Sequence, residues 1–257
     1  MTTMRFVWLA AAVVVALLAG GGLARTPLSA QSLAQRVAAA PDGTLRFAFA
    51  VRPGVCGNGE NIRTSRRSQE WESACEDGPG RIALDVAGHR VTALRFYVGG
   101  RWLPGSATDL GQVPAAEAGT FLFDLAAHAD SRVAEHAIVP ASLADSVVAW
   151  PKLLELARDA GRPTGVRRSA TFWLSQAAAT AATKGLVELA TSDGDRQVRR
   201  SAVFALSQRP KDEGVPALIR IAQTSRDPEL RRQAIFWLGQ TGDPRAIEYL
   251  REVLAGR

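Results

Sequence analysis

Three stretches of this chain repeat one another at a fixed interval. Residues 166–176 are VRRSATFWLSQ, residues 198–208 are VRRSAVFALSQ and residues 230–240 are LRRQAIFWLGQ, each 32 residues after the last. A second related run precedes each copy: LLELARDA, GLVELATS and ALIRIAQT. Leu186, Leu218 and Leu250 keep the same interval into a fourth, unfinished unit, AIEYLREVLAGR. Within one unit both runs have helical periodicity. Val198, Ala202, Ala205 and Leu206 form one apolar stripe at i, i+4, i+7 and i+8, and Val215, Leu218, Ile219 and Ala222 another at i, i+3, i+4 and i+7. Two helices in 32 residues cannot bury both stripes against each other alone, so successive units must stack. The repeat therefore demands an α-solenoid of about three and a half helix pairs.

The residues before it follow a different period. TLRFAFAVR (44–52) alternates, with Leu45, Phe47, Phe49 and Val51 on one side, as a half-buried strand does. The runs RIALDVA and RVTALRFYVGG, joined at Gly88-His89, predict a hairpin. Residues 53–80 are crowded with Gly, Ser, Asn and charge and are expected to be a loop. Residues 44–103 thus predict a small antiparallel β region of three or four strands. So few strands need a covering helix, which residues 114–129 supply through Ala118, Phe121, Leu122 and Leu125. Asp109 falls in a loop. Residues 131–146 predict one or two short helical turns broken by Pro140. The fold class expected is α+β: a leader over 1–30, a small α+β domain over 31–130 and a solenoid over 131–257.

The leader rests on an apolar run from Phe6 to about Ala19 after one early Arg, followed by small residues. That is the layout of a secretory signal peptide, with cleavage after Ala30 or Ala24. The alternative is an uncleaved membrane anchor over 6–24. No Cys follows the run, so a lipoprotein anchor is not expected. Export gives Cys56 and Cys75, the only two cysteines, the character of a disulfide closing the polar loop.

DPELRRQAIFWLGQ resembles the second-helix signature of HEAT-like repeats, in particular the short bacterial units of the phycobilisome-lyase type, and the resemblance covers about residues 150–257. It implies helix pairs stacked into a curved rod, with an Asp and an Arg bonding along the stack: Asp195 with Arg199, and Asp227 with Arg231. The first copy departs from the pattern, with Pro163 where the Asp belongs, as befits a terminal unit packed on the β region. The half-unit with Glu248, Arg251 and Glu252 is expected to cap the other end.

Two ladders in the repeat bear on function. Phe172, Phe204 and Phe236, with Trp173 and Trp237, are expected to fill the repeat core, the alternative being an aromatic groove for a peptide or a base. In each pair Arg167-Arg168, Arg199-Arg200 and Arg231-Arg232, one Arg is expected to bond within the stack. The other, Arg168, Arg200 and Arg232, points outward as a basic strip, either a partner-binding face or a merely solvated one. Residues 151–257 hold 18 basic and 12 acidic side chains, whereas 31–150 hold 11 and 13. Such an excess is ordinarily solvated surface.

No G-x-S-x-G, H-E-x-x-H or G-x-x-x-x-G-K-[ST] motif occurs. The three histidines, His89, His128 and His136, lack metal-ligand spacing with the cysteines. The expectation is no catalysis, no cofactor and no metal. The chain is expected to be an exported interaction scaffold in the cell envelope whose partner is another envelope or exported protein. Membrane contact would come only through an uncleaved N-terminal segment. The alternatives are a lyase- or chaperone-type helper, which the family resemblance implies, or a basic-groove nucleic-acid binder, against which the leader argues.

Overall fold

Alternation and helical periodicity meet along one continuous hydrophobic core. The computed structural model describes residues 31–64 and 75–256; the expected leader or anchor lies outside the described residues. Helix α1 (Leu33–Ala39) opens with a capping box between Ser32 and Gln35, which satisfies two orphan backbone donors reciprocally. Strand β1 (Gly43–Phe49) follows, then the short pair β2 (Cys56–Asn58) and β3 (Asn61–Arg63). The long strands β4 (Gly80–Ala87) and β5 (Arg90–Val98) and the polar strand β6 (Thr108–Gln112) complete the β region.

The main sheet has the order β5-β4-β1-β6. Leu45 stands opposite Leu84 and Phe47 opposite Ile82, so the alternating apolar residues share one face, and all four are buried. β6 is a correction to the antiparallel expectation, because it pairs parallel with β1 along the opposite edge, making the sheet mixed. Its residues TDLGQ carry no apolar alternation. It is held instead by the sheet edge, by Val113 N–H donating to Ala48 O at 2.8 Å and by Arg46 donating to Asp109 at 3.1 Å. Asp109 is therefore in a strand rather than a loop. Cys56 and Cys75 are disulfide-bonded.

Helices α2 (Ala115–His128) and α3 (Ser131–Leu143) cover the buried face of the sheet. Phe121 meets Phe47 edge-on at 6.2 Å. α3 is a second correction: it runs unbroken through Pro140. A proline costs a helix one hydrogen bond, but here it lies in the final turn, on a face with Val133, Ala137, Ile138 and Ala141 buried. The end of α3 is sewn to the sheet by Arg52 N–H donating to Leu143 O at 2.9 Å and Asp145 N–H to Ala50 O at 2.9 Å.

Beyond it come α4 (Trp150–Arg158), α5 (Thr164–Ser175), α6 (Thr180–Ser192), α7 (Arg196–Ser207), α8 (Lys211–Thr224), α9 (Pro228–Thr241) and α10 (Pro244–Leu254). They form the pairs α4/α5, α6/α7 and α8/α9 with α10 as the half-unit. First helices pack on first helices (α4, α6, α8, α10) and second on second (α5, α7, α9). The stack continues backwards into α2/α3, because α3 packs on α5 and α2 on α4. Among the described residues the solenoid thus includes a pair that carries no echo of the 32-residue repeat. None of the described helices is long and apolar enough to cross a membrane.

The repeat sequence explains its own punctuation. Asp195, Asp227 and Asp243 are the N-caps of α7, α9 and α10, each accepting backbone N–H bonds from the first turn. Pro228 and Pro244 follow as first helical residues, where a missing N–H costs nothing. α5, with Pro163 at its N-cap, has no side-chain cap bond. Gly185 sits where a Cβ would lie 2.6 Å from Leu154 Cδ1, so its absence lets α4 and α6 close.

Candidate protein-docking face

The paired arginines divide between the seam and the surface. Arg167 is buried; it donates to Ala157 O at 3.0 Å and forms an ion pair with Asp193 of the next unit. Arg199 donates to Asp193 O at 2.8 Å and reaches Asp227 of the following unit at 3.4 Å. Arg231 donates to Ser225 O at 2.8 Å. This corrects the expected ladder. The Asp–Arg pairs are not Asp195 with Arg199 and Asp227 with Arg231; Arg199 crosses the seam to Asp227, while Asp195 accepts from Thr164 of the preceding unit. The reason is geometric. A capping Asp turns its carboxylate toward its own helix N-terminus, and an Arg side chain on the neighbouring second helix is long enough to bridge the seam.

A second stitch was not anticipated. Arg209, buried, donates to Thr183 Oγ1 at 2.8 Å, Ser175 O at 3.0 Å, Ala179 O at 3.2 Å and Glu213 at 2.8 Å, and also to Ala177 O. It ties the α5–α6 turn to the start of α8. Hydrogen bonds from Thr183 and then Arg209 hold the Glu213 carboxyl below the usual range. The sequence signal was a lone Arg followed by Glu four residues later, too common to single out.

On the opposite side of the same helices, the partners of those arginines point outward. Arg168, Arg200 and Arg232 are exposed. Four residues on from each lie Phe172, Phe204 and Phe236, and four beyond those lie Gln176, Gln208 and Gln240, the spacing that keeps residues on one helical stripe. All three glutamines are exposed. Each unit therefore offers the same cation, aromatic ring and amide on the outer face of α5, α7 and α9.

The aromatic rows correct the repeat-core expectation. Phe172 is 38% exposed and Phe236 57% exposed, whereas Leu206 and Leu174 are fully buried. The buried stripe is filled by Val, Ala and Leu, which leaves the Phe position turned toward the edge. Phe172 stacks on Phe204 with centroids 6.3 Å apart, and Phe204 meets Trp237 at 5.0 Å. Trp173 and Trp237 are half-buried against the core beside their Phe neighbours. The rings form one connected, partly exposed ribbon across three units.

The charge of this face is largely uncompensated. Arg168 bonds only neutral groups, Ser201 Oγ and Gln197 Oε1, both at 3.2 Å. Among the described residues the side chain of Arg200 has no hydrogen-bond or ion-pair partner. Arg232 pairs with Glu229. The hydrogen bond and charge of Arg232, with the fields of Arg200 and Arg196, hold the Glu229 carboxyl below its ordinary range.

Elsewhere the described residues offer less chemistry. A cleft of about 540 Å3 between α2 and α4 is lined by Phe123, Asp124, His128, Val148, Lys152 and Asp159 among others. His128 Nδ1 lies 3.0 Å from Asp124 Oδ1, and both side chains are mostly exposed. The open face of the sheet pairs Asp85 with Arg95 in a two-bonded contact of 2.7 and 2.8 Å and sets Arg46 over the Trp102 ring at 5.5 Å. Among the described residues no cluster of three or more His, Cys, Asp or Glu could hold a metal ion.

Comparison with known proteins bears on the helical half. Residues 183–256 match the family of HEAT repeats. No curated protein matches the chain. A solved structure similar to part of it is the complex of CpcE and CpcF of phycocyanin lyase from Nostoc sp. PCC7120. It is 22% identical with a TM-score of 0.41 and covers 54% of this chain and 89% of that one. With helix pairs in register, seam-crossing Arg–Asp bonds and the family match over residues 183–256, the C-terminal part of the chain is built of HEAT-like repeats.

Proposed function

We propose that this chain is an exported interaction scaffold that binds another protein of the cell envelope on the outer face of α5, α7 and α9 and performs no chemistry of its own. The observation that carries the reading is the repetition of one exposed trio in three successive units. Surface positions drift where they only contact water, whereas the buried stripe must repeat to stack. Here the exposed stripe repeats as well. Solenoids present such repeated patches to elongated partners, and exposed aromatics flanked by arginines are the residue types that carry binding energy at protein interfaces. Export is supported by the apolar N-terminal run and by the disulfide, since disulfides persist in oxidising compartments.

The test is a crosslinking pull-down from envelope fractions, comparing the native chain with a variant carrying Arg168→Glu, Arg200→Glu and Arg232→Glu. The reading expects a partner captured by the native chain and lost by the variant. Capture of the same partner by both would move the docking site elsewhere and overturn it.

A further inference from the structure

We infer that the segment read by this face is an extended, acidic stretch of polypeptide in the polyproline II conformation, with a carboxylate at every third residue; the inference rests on the docking reading above. Packed helices lie about 8–10 Å apart. The three second helices therefore set the backbone positions of their arginines and glutamines apart by about that interval, while the rings lean together, Phe172 and Phe204 lying 6.3 Å apart. A polyproline II segment rises about 3.1 Å per residue with three residues per turn, so side chains at i, i+3 and i+6 fall on one edge about 9 Å apart. That interval matches the helix spacing. One edge of such a segment can offer a carboxylate to Arg168, Arg200 and Arg232 in turn.

The other two rows suit the same ligand. A polyproline II backbone has no internal hydrogen bonds, and Gln176, Gln208 and Gln240 are exposed amides able to donate to its carbonyls and accept from its N–H groups. Gln176 and Gln208 already use one amide hydrogen each, on Ser175 and Ser207, which fixes their orientation. The ring ribbon of Phe172, Phe204 and Trp237 supplies the apolar contact that proline rings or short side chains between the acids would cover.

Charge complementarity selects an acidic partner. Arg168 and Arg200 lack any carboxylate of their own among the described residues, and Arg196 adds a fourth exposed cation beside them. Glu229 opposes them, and Asp227 lies in the field of Arg196. A single-stranded nucleic acid would also meet arginines and rings. The rings here, however, pack on one another, Phe172 on Phe204 and Phe204 on Trp237, and the Glu229 carboxylate beside Arg232 would repel a phosphate there.

The test measures binding of labelled peptides to the full chain by fluorescence anisotropy. The probe is a ten-residue peptide of Glu-Pro-Ala repeats ending in Glu. Its control has the same composition with the acids grouped at one end. The expected result is binding at least about tenfold tighter for the spaced peptide. Each of Arg168→Gln, Arg200→Gln and Arg232→Gln should weaken it by about two- to five-fold, the range for exposed ion pairs. Added salt should weaken it further. Glu229→Gln should tighten binding, a gain that loss of fold could not produce. Equal binding of the two peptides, or no effect of the three Arg variants, would overturn the inference. Tighter binding of an oligothymidine that displaces the peptide would overturn it in favour of nucleic acid. If partner capture is lost in the Arg-to-Glu variant while both peptides fail to bind, the docking face stands and the three-residue register falls. If capture also survives that variant, the docking reading falls with it.

Discussion

Replacing Arg209 by methionine isolates the stitch that binds two repeats together. Methionine keeps most of the apolar stem and removes all the donors. The guanidinium is 3% exposed and Glu213 20% exposed. Stranding one partner of a buried ion pair costs about 3–5 kcal/mol. Glu213 retains its bonds from Thr183 and Thr180 and keeps some contact with water, so its share falls at the lower end of that range. The carbonyls of Ser175, Ala177 and Ala179 lose their donor as well, at about 1 kcal/mol for each bond. These losses are not additive, since all belong to one network. The expected loss of stability is therefore about 3–5 kcal/mol, read from urea unfolding followed by helical circular dichroism. Pairing Arg209→Met with Glu213→Gln should recover part of it, with a coupling of about 1–3 kcal/mol. A loss below about 1 kcal/mol, or no coupling, would refute the claim that this network holds the repeats in register.

Other expectations follow from single contacts. In Gly214→Ala the new Cβ would lie 2.4 Å from Leu206 O; backbone must shift, and the variant should lose about 1–3 kcal/mol in the same unfolding assay. Phe236→Ser should change stability by no more than about 0.5 kcal/mol because the ring is 57% exposed, while Leu206→Ala, fully buried, should cost about 2–5 kcal/mol. Asp243 caps α10 and pairs with Arg245 at 2.9 Å; that bond holds its carboxyl down at about 2, below the unfolded value of about 3.9. Its contribution is present above the unfolded value and lost as pH falls through the folded one. Acid titration of helicity should therefore show a loss between about pH 4 and 2 that Asp243→Asn flattens.

The solenoid could be read because stacking forces recurrence: Val198, Ala202 and Leu206 must repeat for units to nest. The repeated aspartates were legible only as partners for arginine; that Asp195, Asp227 and Asp243 cap helix starts is a finding of the structure. What could not be read were features set by neighbours in space rather than in sequence. α2 and α3 join the stack yet bury it with Ala and Ile at positions that echo no repeat. β6 is polar, and only the free edge of β1 makes it a strand. Arg199 finds Asp227 across the seam rather than Asp195 beside it, because reach between helices is invisible along one chain. The Phe rows were misplaced for a related reason. Recurrence alone does not distinguish a buried stripe from an exposed one when both repeat. The outward arginines Arg168, Arg200 and Arg232 were legible in the repeat, whereas the glutamines completing the trio carried no signal beyond their interval.

The most direct measurement on the docking face is site-specific photocrosslinking. A photoreactive benzoylphenylalanine would be placed at Phe172, at Phe236 and, as control, at Arg220, an exposed residue of α8 in the first-helix layer. The account predicts one crosslinked envelope partner from positions 172 and 236 and none from 220. Crosslinks from 220 alone, or the same partner from all three positions, would contradict a face confined to the second helices.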